Sequence, residues 1–399
     1  MNRVLLAAIC HLPFAIASFA QDSPPIPLHP VHTFSIVARD PQTGEIGAAV
    51  QSHAFAVGSQ VIWAEPGVGA VATQSFIDPS YGPNGLALMR NGKSAWDALV
   101  SLIYSDTGMN VRQVAFIDSE GRAATWTGSA DIPAAGGLVG SHGMVFSEAP
   151  MHGCLPETSP GCARMMATPS GGSGFKGHDF AVQANLMSND QIWPAMAKAF
   201  DETKGDLAER MLAALDAAQR AGGDIRGRQS AALIVVSGDR SKRPWEKTFD
   251  VRVDDNVQPL LELRRLVNLQ RAYNHSNAGD VALEHHDNDG ALREYAAAEQ
   301  AVQGIEVDQS RRAELIFWHA VALVNMNRVP ESLLLFKQAF SLHKELAELA
   351  KRLATVGLLP NDPKILDQIA GQSLTLSIRP KPFCQDLTLN GQTVKSCVK

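Results

Sequence analysis

Nowhere does this sequence run to the roughly 18 consecutive apolar residues that a membrane-spanning helix needs, so no membrane span is expected. It has no surplus of positive charge either. Its 35 lysines and arginines face 41 aspartates and glutamates, for a net charge of −6, which argues against a nucleic-acid partner. Cysteine is scarce, at 5 residues, with neither a Cys-x-x-Cys nor a His-x-x-x-His spacing, so no metal site is expected. What is present is ordinary for a globular chain. The 399 positions are 45% hydrophobic and 19% charged, room for two domains at about 100–200 residues each.

The N-terminus reads as an export signal. Arg3 supplies a short positive region, Val4 to Ile9 and Phe14 to Ala17 are apolar, and Ser18-Phe19-Ala20 has the small-x-small pattern of a cleavage site. A mature chain starting at Gln21, periplasmic or secreted, is expected. Asp22 to Pro30 holds too much proline to continue a helix and reads as a linker or propeptide. Without Cys10, the cysteines Cys154, Cys162, Cys384 and Cys397 remain, in two close pairs. Several connectivities are open to them. Pairing Cys154 with Cys162 and Cys384 with Cys397 is the simplest in an oxidising compartment.

From Thr33 the apolar residues alternate as in hairpin strands. Thr33 to Arg39 and Ile46 to Ser52 flank one turn. Val61 to Ala64 and Val68 to Gln74 flank Pro66-Gly67, and Val111 to Asp118 and Arg122 to Trp126 flank Ser119-Glu120-Gly121. Helices are expected from Tyr81 to about Asn91 and, capped by Ser94 with Asp97, through Tyr104. Residues 133–177, rich in Gly, Pro, Ser and Met, read as a long irregular insertion. Further strands are expected over 179–186, 230–237 and 248–253, and helices over 190–200, 207–221 and 260–273. Hairpins of strands with pairs of helices between them predict an α+β fold of antiparallel sheets. After about Gly279 the pattern is helical. Ala291, Tyr295 and Ala298 have the small-aromatic-small spacing of a tetratricopeptide second helix, and Ser332, Phe336 and Ala339 repeat it 41 residues later. A tetratricopeptide-like domain is expected over 279–360, followed by a tail with a two-strand piece from Leu374.

Thr33-Phe34-Ser35-Ile36-Val37-Ala38-Arg39-Asp40 resembles the start of a bacterial and archaeal family known as domain of unknown function 1028 (DUF1028). The resemblance continues through Ala56-Val57-Gly58, Gly67 to Gln74, Tyr81-Gly82-Pro83-Asn84-Gly85-Leu86, Gly222-Gly223-Asp224, Arg226 to Ala232 and Val251 to Asp255, ending near Asn268. The family is grouped with the N-terminal-nucleophile (Ntn) hydrolases. The resemblance therefore implies a four-layer αββα sandwich, and a Thr, Ser or Cys heading the first strand as nucleophile, with its own freed α-amine as general base. An α-amine titrates at about 7.7–8.0, so a good fraction is neutral at working pH. No cofactor is implied.

Thr33 stands where that nucleophile belongs. Gln21 to His32 precede it, so its amine requires a second cleavage, between His32 and Thr33. The alternative is a β-branched strand residue with no chemical role. No lysine occurs from Ile46 to Ala64 to tune an amine; Gln51 and His53 stand there instead. His53 is a candidate to orient or protonate, set against a surface histidine at a strand end. Gln74 and Asn185 are candidate donors to an oxyanion, set against amides that satisfy nearby backbone. Arg228 and Ser230 read as a structural turn, and His285-His286-Asp287 as a solvated loop. The family's Cys-x-x-Trp-Ala-Gly-His pattern is replaced here by Asp131-Ile132-Pro133-Ala134-Ala135-Gly136-Gly137, which implies a different pocket. The leading expectation is an exported amide-bond hydrolase acting on an unknown amide or peptide, with cell-wall peptides suggested by analogy. The alternatives are a catalytically silent binding protein, and a scaffold whose helical tail recruits a protein partner.

Overall fold

The computed structural model describes residues 33–140, 144–146, 179–373, 383–389 and 392–398, with backbone alone for 144–146 and the last two segments. The expected export signal, the linker, Cys154 and Cys162 lie outside the described residues.

Alternation of side chains along the strands builds two sheets with opposed faces. The first sheet has the order β11-β10-β2-β1-β9-β7, antiparallel throughout. Its strands are β1 (Thr33–Arg39), β2 (Ile46–Ser52), β7 (Gly136–Val139), β9 (Asp179–Asn185), β10 (Ser230–Val236) and β11 (Lys247–Val253). The second sheet has the order β3-β4-β5-β6-β8, from β3 (Ile62–Glu65), β4 (Gly69–Ser75), β5 (Arg112–Asp118), β6 (Ala123–Thr127) and β8 (Met144–Phe146). It is antiparallel except where β8 runs parallel to β6.

On β1, Phe34, Ile36 and Ala38 pack against α3 (Ile192–Glu202), α4 (Leu207–Arg220) and the start of α5 (Pro259–Glu284). Val37 on the same strand faces the second sheet, in a core shared with Val50, Ala72, Ala115 and Ile117. The outer face of the second sheet offers Val71, Val114 and Phe116 to α1 (Tyr81–Arg90) and α2 (Ala95–Ile103). The expected strands and helices are present. The insertion contributes more order than the sequence indicates, because β7 joins the edge of the first sheet. Its glycines hide it: a Cβ on Gly137 would lie 2.8 Å from the Val182 carbonyl oxygen, so the strand carries no side chain there to show alternation.

The helix expected over 260–273 continues to Glu284, so position 279, where the helical region was expected to begin, lies inside it. Leu260, Leu263 and Val267 of α5 belong to the core against the first sheet, whereas Leu269 and Ala272 pack with Val302 and Leu315 of the helices that follow. Ion pairs from Arg264 to Glu209 and Asp216, each at 2.7 Å, and from Arg271 to Asp206 at 2.8 Å pin α5 to α4 and its cap. Beyond it run α6 (Asn288–Ala301), α7 (Gln309–Asn325), α8 (Val329–Leu342), α9 (Leu346–Thr355) and α10 (Pro363–Gly371). The 41-residue echo is visible in the backbone. α5 ends at Glu284 and α7 at Asn325, α6 spans 288–301 and α8 spans 329–342, and His286 and Asn327 share left-handed φ values of 61° and 60°. At the C-terminal end, β12 (Phe383–Leu389) pairs with β13 (Gln392–Val398) in a register that sets Cys384 opposite Cys397.

Candidate functional site

The space between the two sheets changes character along its length. Toward Val37 it is apolar. Toward the start of β1 it is filled by buried polar side chains: Thr33, Ser35, Gln74, Gln113, Gln183 and Asn185, each at most 1% exposed. Such groups are tolerated only when they satisfy one another, and they do. Gln74 Nε2 donates to the Thr33 carbonyl at 2.9 Å and to Gln113 Oε1 at 2.6 Å. Ser35 donates to Gln74 Oε1 at 2.6 Å, and Gln183 Nε2 donates back to Ser35 at 3.2 Å. Gln113 Nε2 reaches Thr127 Oγ1 and the Ala184 carbonyl, both at 2.9 Å. Asn185 Nδ2 donates to Gln113 Oε1 at 3.0 Å, one of the two N–H groups its amide carries.

Thr33 is set into this network from three sides. Its backbone is in register with Ser52 on β2 and with Asn185 on β9. Its hydroxyl donates to Ser52 Oγ at 3.2 Å, and its carbonyl is held by Gln74. Of the residues singled out in the sequence, the structure therefore brings Thr33, Gln74 and Asn185 together. It does not bring His53 into the network. His53 lies one residue beyond Ser52, its backbone N–H donates to Asp224 Oδ2 at 3.2 Å, and its Nδ1 is buried beside Gly227 without a hydrogen-bond partner. Ser230 spends its hydroxyl on the Ala54 carbonyl at 2.6 Å and accepts from Val57 N at 3.1 Å, the structural turn its position suggested. The sequence reading missed Ser52, Ser35, Gln113 and Gln183.

A second buried group borders the same end. Asp131, 8% exposed, accepts from Ser75 Oγ at 2.5 Å and from Gly128 N at 3.1 Å. Burial pushes its carboxyl up to about 6, against the downward pull of those two hydrogen bonds and the Arg112 charge. The segment that follows is tied to the residues after Asn185, as Leu186 N donates to the Ile132 carbonyl at 2.9 Å and Met187 N to that of Ala134 at 3.1 Å. Asp131 is thus anchored at the end of β4, and backbone bonds fasten the segment after it beside the residues that follow β9.

Two facing sheets with helices on their outer sides, and a buried amide network at the head of the first strand, define an α+β protein of mixed layers. The family of unknown function DUF1028 matches residues 33–148 and 166–263, more than half of the chain, and the chain belongs to that family. Among solved structures, protein SPO2555 from Silicibacter pomeroyi, a DUF1028 protein, is 26% identical, over 59% of this chain and 87% of its own, with a TM-score of 0.45. No curated protein matches the chain.

Proposed function

We propose that this chain is an exported amide-bond hydrolase of the Ntn type, a four-layer αββα sandwich in which Thr33 is the nucleophile. The observation that carries the reading is the set of buried amides around the head of β1, with Gln74 holding the Thr33 carbonyl and Asn185 retaining an N–H beside it. Removal of the signal after Ala20 and a second cut before Thr33 would free the α-amine. That amine takes the Oγ proton as Oγ attacks an amide carbonyl, and returns it to the leaving amine. An acyl-enzyme results, and water releases it. Asn185 Nδ2 is the candidate donor to the oxyanion. Gln74 uses both N–H groups within the network, so its role is to fix Thr33. Labelling with a β-lactone tests this. Thr33 Oγ opens the ring, the ring C–O bond breaks and the proton passes to the new hydroxyl, adding the whole lactone mass. An adduct mapped to Thr33 supports the reading; protein that starts at Thr33 and stays unlabelled contradicts it.

One observation favours a second reading. Apart from that one Asn185 N–H, the amides of the network spend their hydrogen bonds on one another and on nearby backbone, as an amide core serving only to lock two sheets would. A catalytically silent sandwich would then leave partner recruitment to the tetratricopeptide-like helices.

A further inference from the structure

The helical region holds a pocket of 570 Å³ between the end of α5, α6 and α7, within the size range of ligand sites. Trp318, Val321 and Ala322 of α7 and Tyr295 of α6 line it. Asp280 and Glu284, one turn apart on α5 and both exposed, stand at its rim. Among the described residues that line it, none is lysine or arginine. The Tyr295 hydroxyl donates to Asp280 Oδ1 at 2.6 Å, which fixes that carboxylate and leaves Oδ2 for an incoming donor. His319 in turn stacks on the Tyr295 ring, centroids 5.1 Å apart, and its Nδ1 lies 2.8 Å from Glu299, so the tyrosine is held from the far side.

We propose that this pocket binds a lysine or arginine side chain presented by a partner polypeptide. Two carboxylates, with His286 and no lysine or arginine beside them in the lining, call for a positive guest. Trp318 in the lining supplies an aromatic ring for that charge, and Val321 and Ala322 supply apolar surface for the methylene stem. Leu358 on the lining and Val281 beside Asp280 are 52% and 51% exposed, extending apolar surface past the mouth. Residues flanking the basic side chain cover that surface, whereas a free amine leaves it bare; this selects a polypeptide.

The test follows tryptophan indole N–H signals by NMR in the full chain. The probes are acetyl-Leu-Lys-Leu-amide, its Arg and Glu counterparts, and spermidine. The Trp318 signal, assigned by its loss in Trp318→Phe, shifts with the Lys and Arg peptides. Asp280→Asn with Glu284→Gln, which keeps an acceptor for the Tyr295 hydroxyl, weakens the Lys and Arg peptides by about tenfold without altering Tm. Failure of both basic peptides to bind, equal binding of the Glu peptide, an unchanged affinity in the double variant, or tighter binding of spermidine than of the peptides would overturn the proposal.

Discussion

Gln113 sits at the centre of the inter-sheet network, donating to Thr127 and the Ala184 carbonyl and accepting from Gln74 and Asn185. Gln113→Leu fills similar space but leaves those buried groups unsatisfied. It should cost about 2–4 kcal/mol in urea unfolding, while Thr127→Val at the periphery should cost about 1 kcal/mol. Asp131 makes a pH prediction. Its folded-state value of about 6 lies above the ordinary 3.8, so between those values the folded chain holds a proton that the unfolded chain has released. The stabilising contribution is complete below the lower value and is lost as pH rises through the upper one. At most it is about 3 kcal/mol. Asp131→Asn should flatten this part of the stability–pH curve; an unchanged slope would contradict the assignment. The network was partly legible in the sequence. Thr33 with Ser35, Thr125 with Thr127 and Gln183 with Asn185 are polar pairs two residues apart, hence on one face of a strand. Gln74 and Asn185 stood out because each lies near a strand end. Gln113 and Ser52 did not, because their meaning depends on which strand and which sheet lies opposite.

At the scale of elements, the glycines of the family motifs are packing requirements. A Cβ on Gly82 would lie 2.2 Å from the Trp63 ring, and one on Gly85 would lie 2.4 Å from Phe116. Helix α1 can therefore rest on the second sheet only where these positions are bare. Gly82→Ala should destabilise by about 1–3 kcal/mol through overpacking, read as a lower urea midpoint at an unchanged m-value. Gly279 serves α5 in the same way, its missing Cβ leaving room for the Tyr295 ring at 2.9 Å. The 41-residue echo was legible because small and aromatic residues alternate at helical spacing, and the helix boundaries repeat with it. The length of α5 was not, because its apolar face turns from one core to another along the helix, which breaks the periodicity of a single stripe. At the C-terminal hairpin, register sets Cys384 opposite Cys397. In exported protein these should be joined, contributing about 2–3 kcal/mol in the chain-entropy picture. Non-reducing peptide mapping that finds free thiols there would contradict this.

The whole molecule turns on α5, which is shared by the sheet core and the helix hairpins. A chain ended after Glu284 keeps Leu260, Leu263 and Val267 against the first sheet but uncovers Leu269 and Ala272. It should remain folded with a lower Tm, and a product that cannot be recovered soluble would show that the helical region is an obligatory cap. The same scale decides whether the chemistry exists, since Thr33 acts only if everything ahead of it is removed. The direct measurement is the intact mass and N-terminal sequence of the protein recovered from a host that exports it. The account predicts a chain that begins at Thr33. A uniform start at Gln21 would leave no α-amine beside the Thr33 hydroxyl and would contradict it.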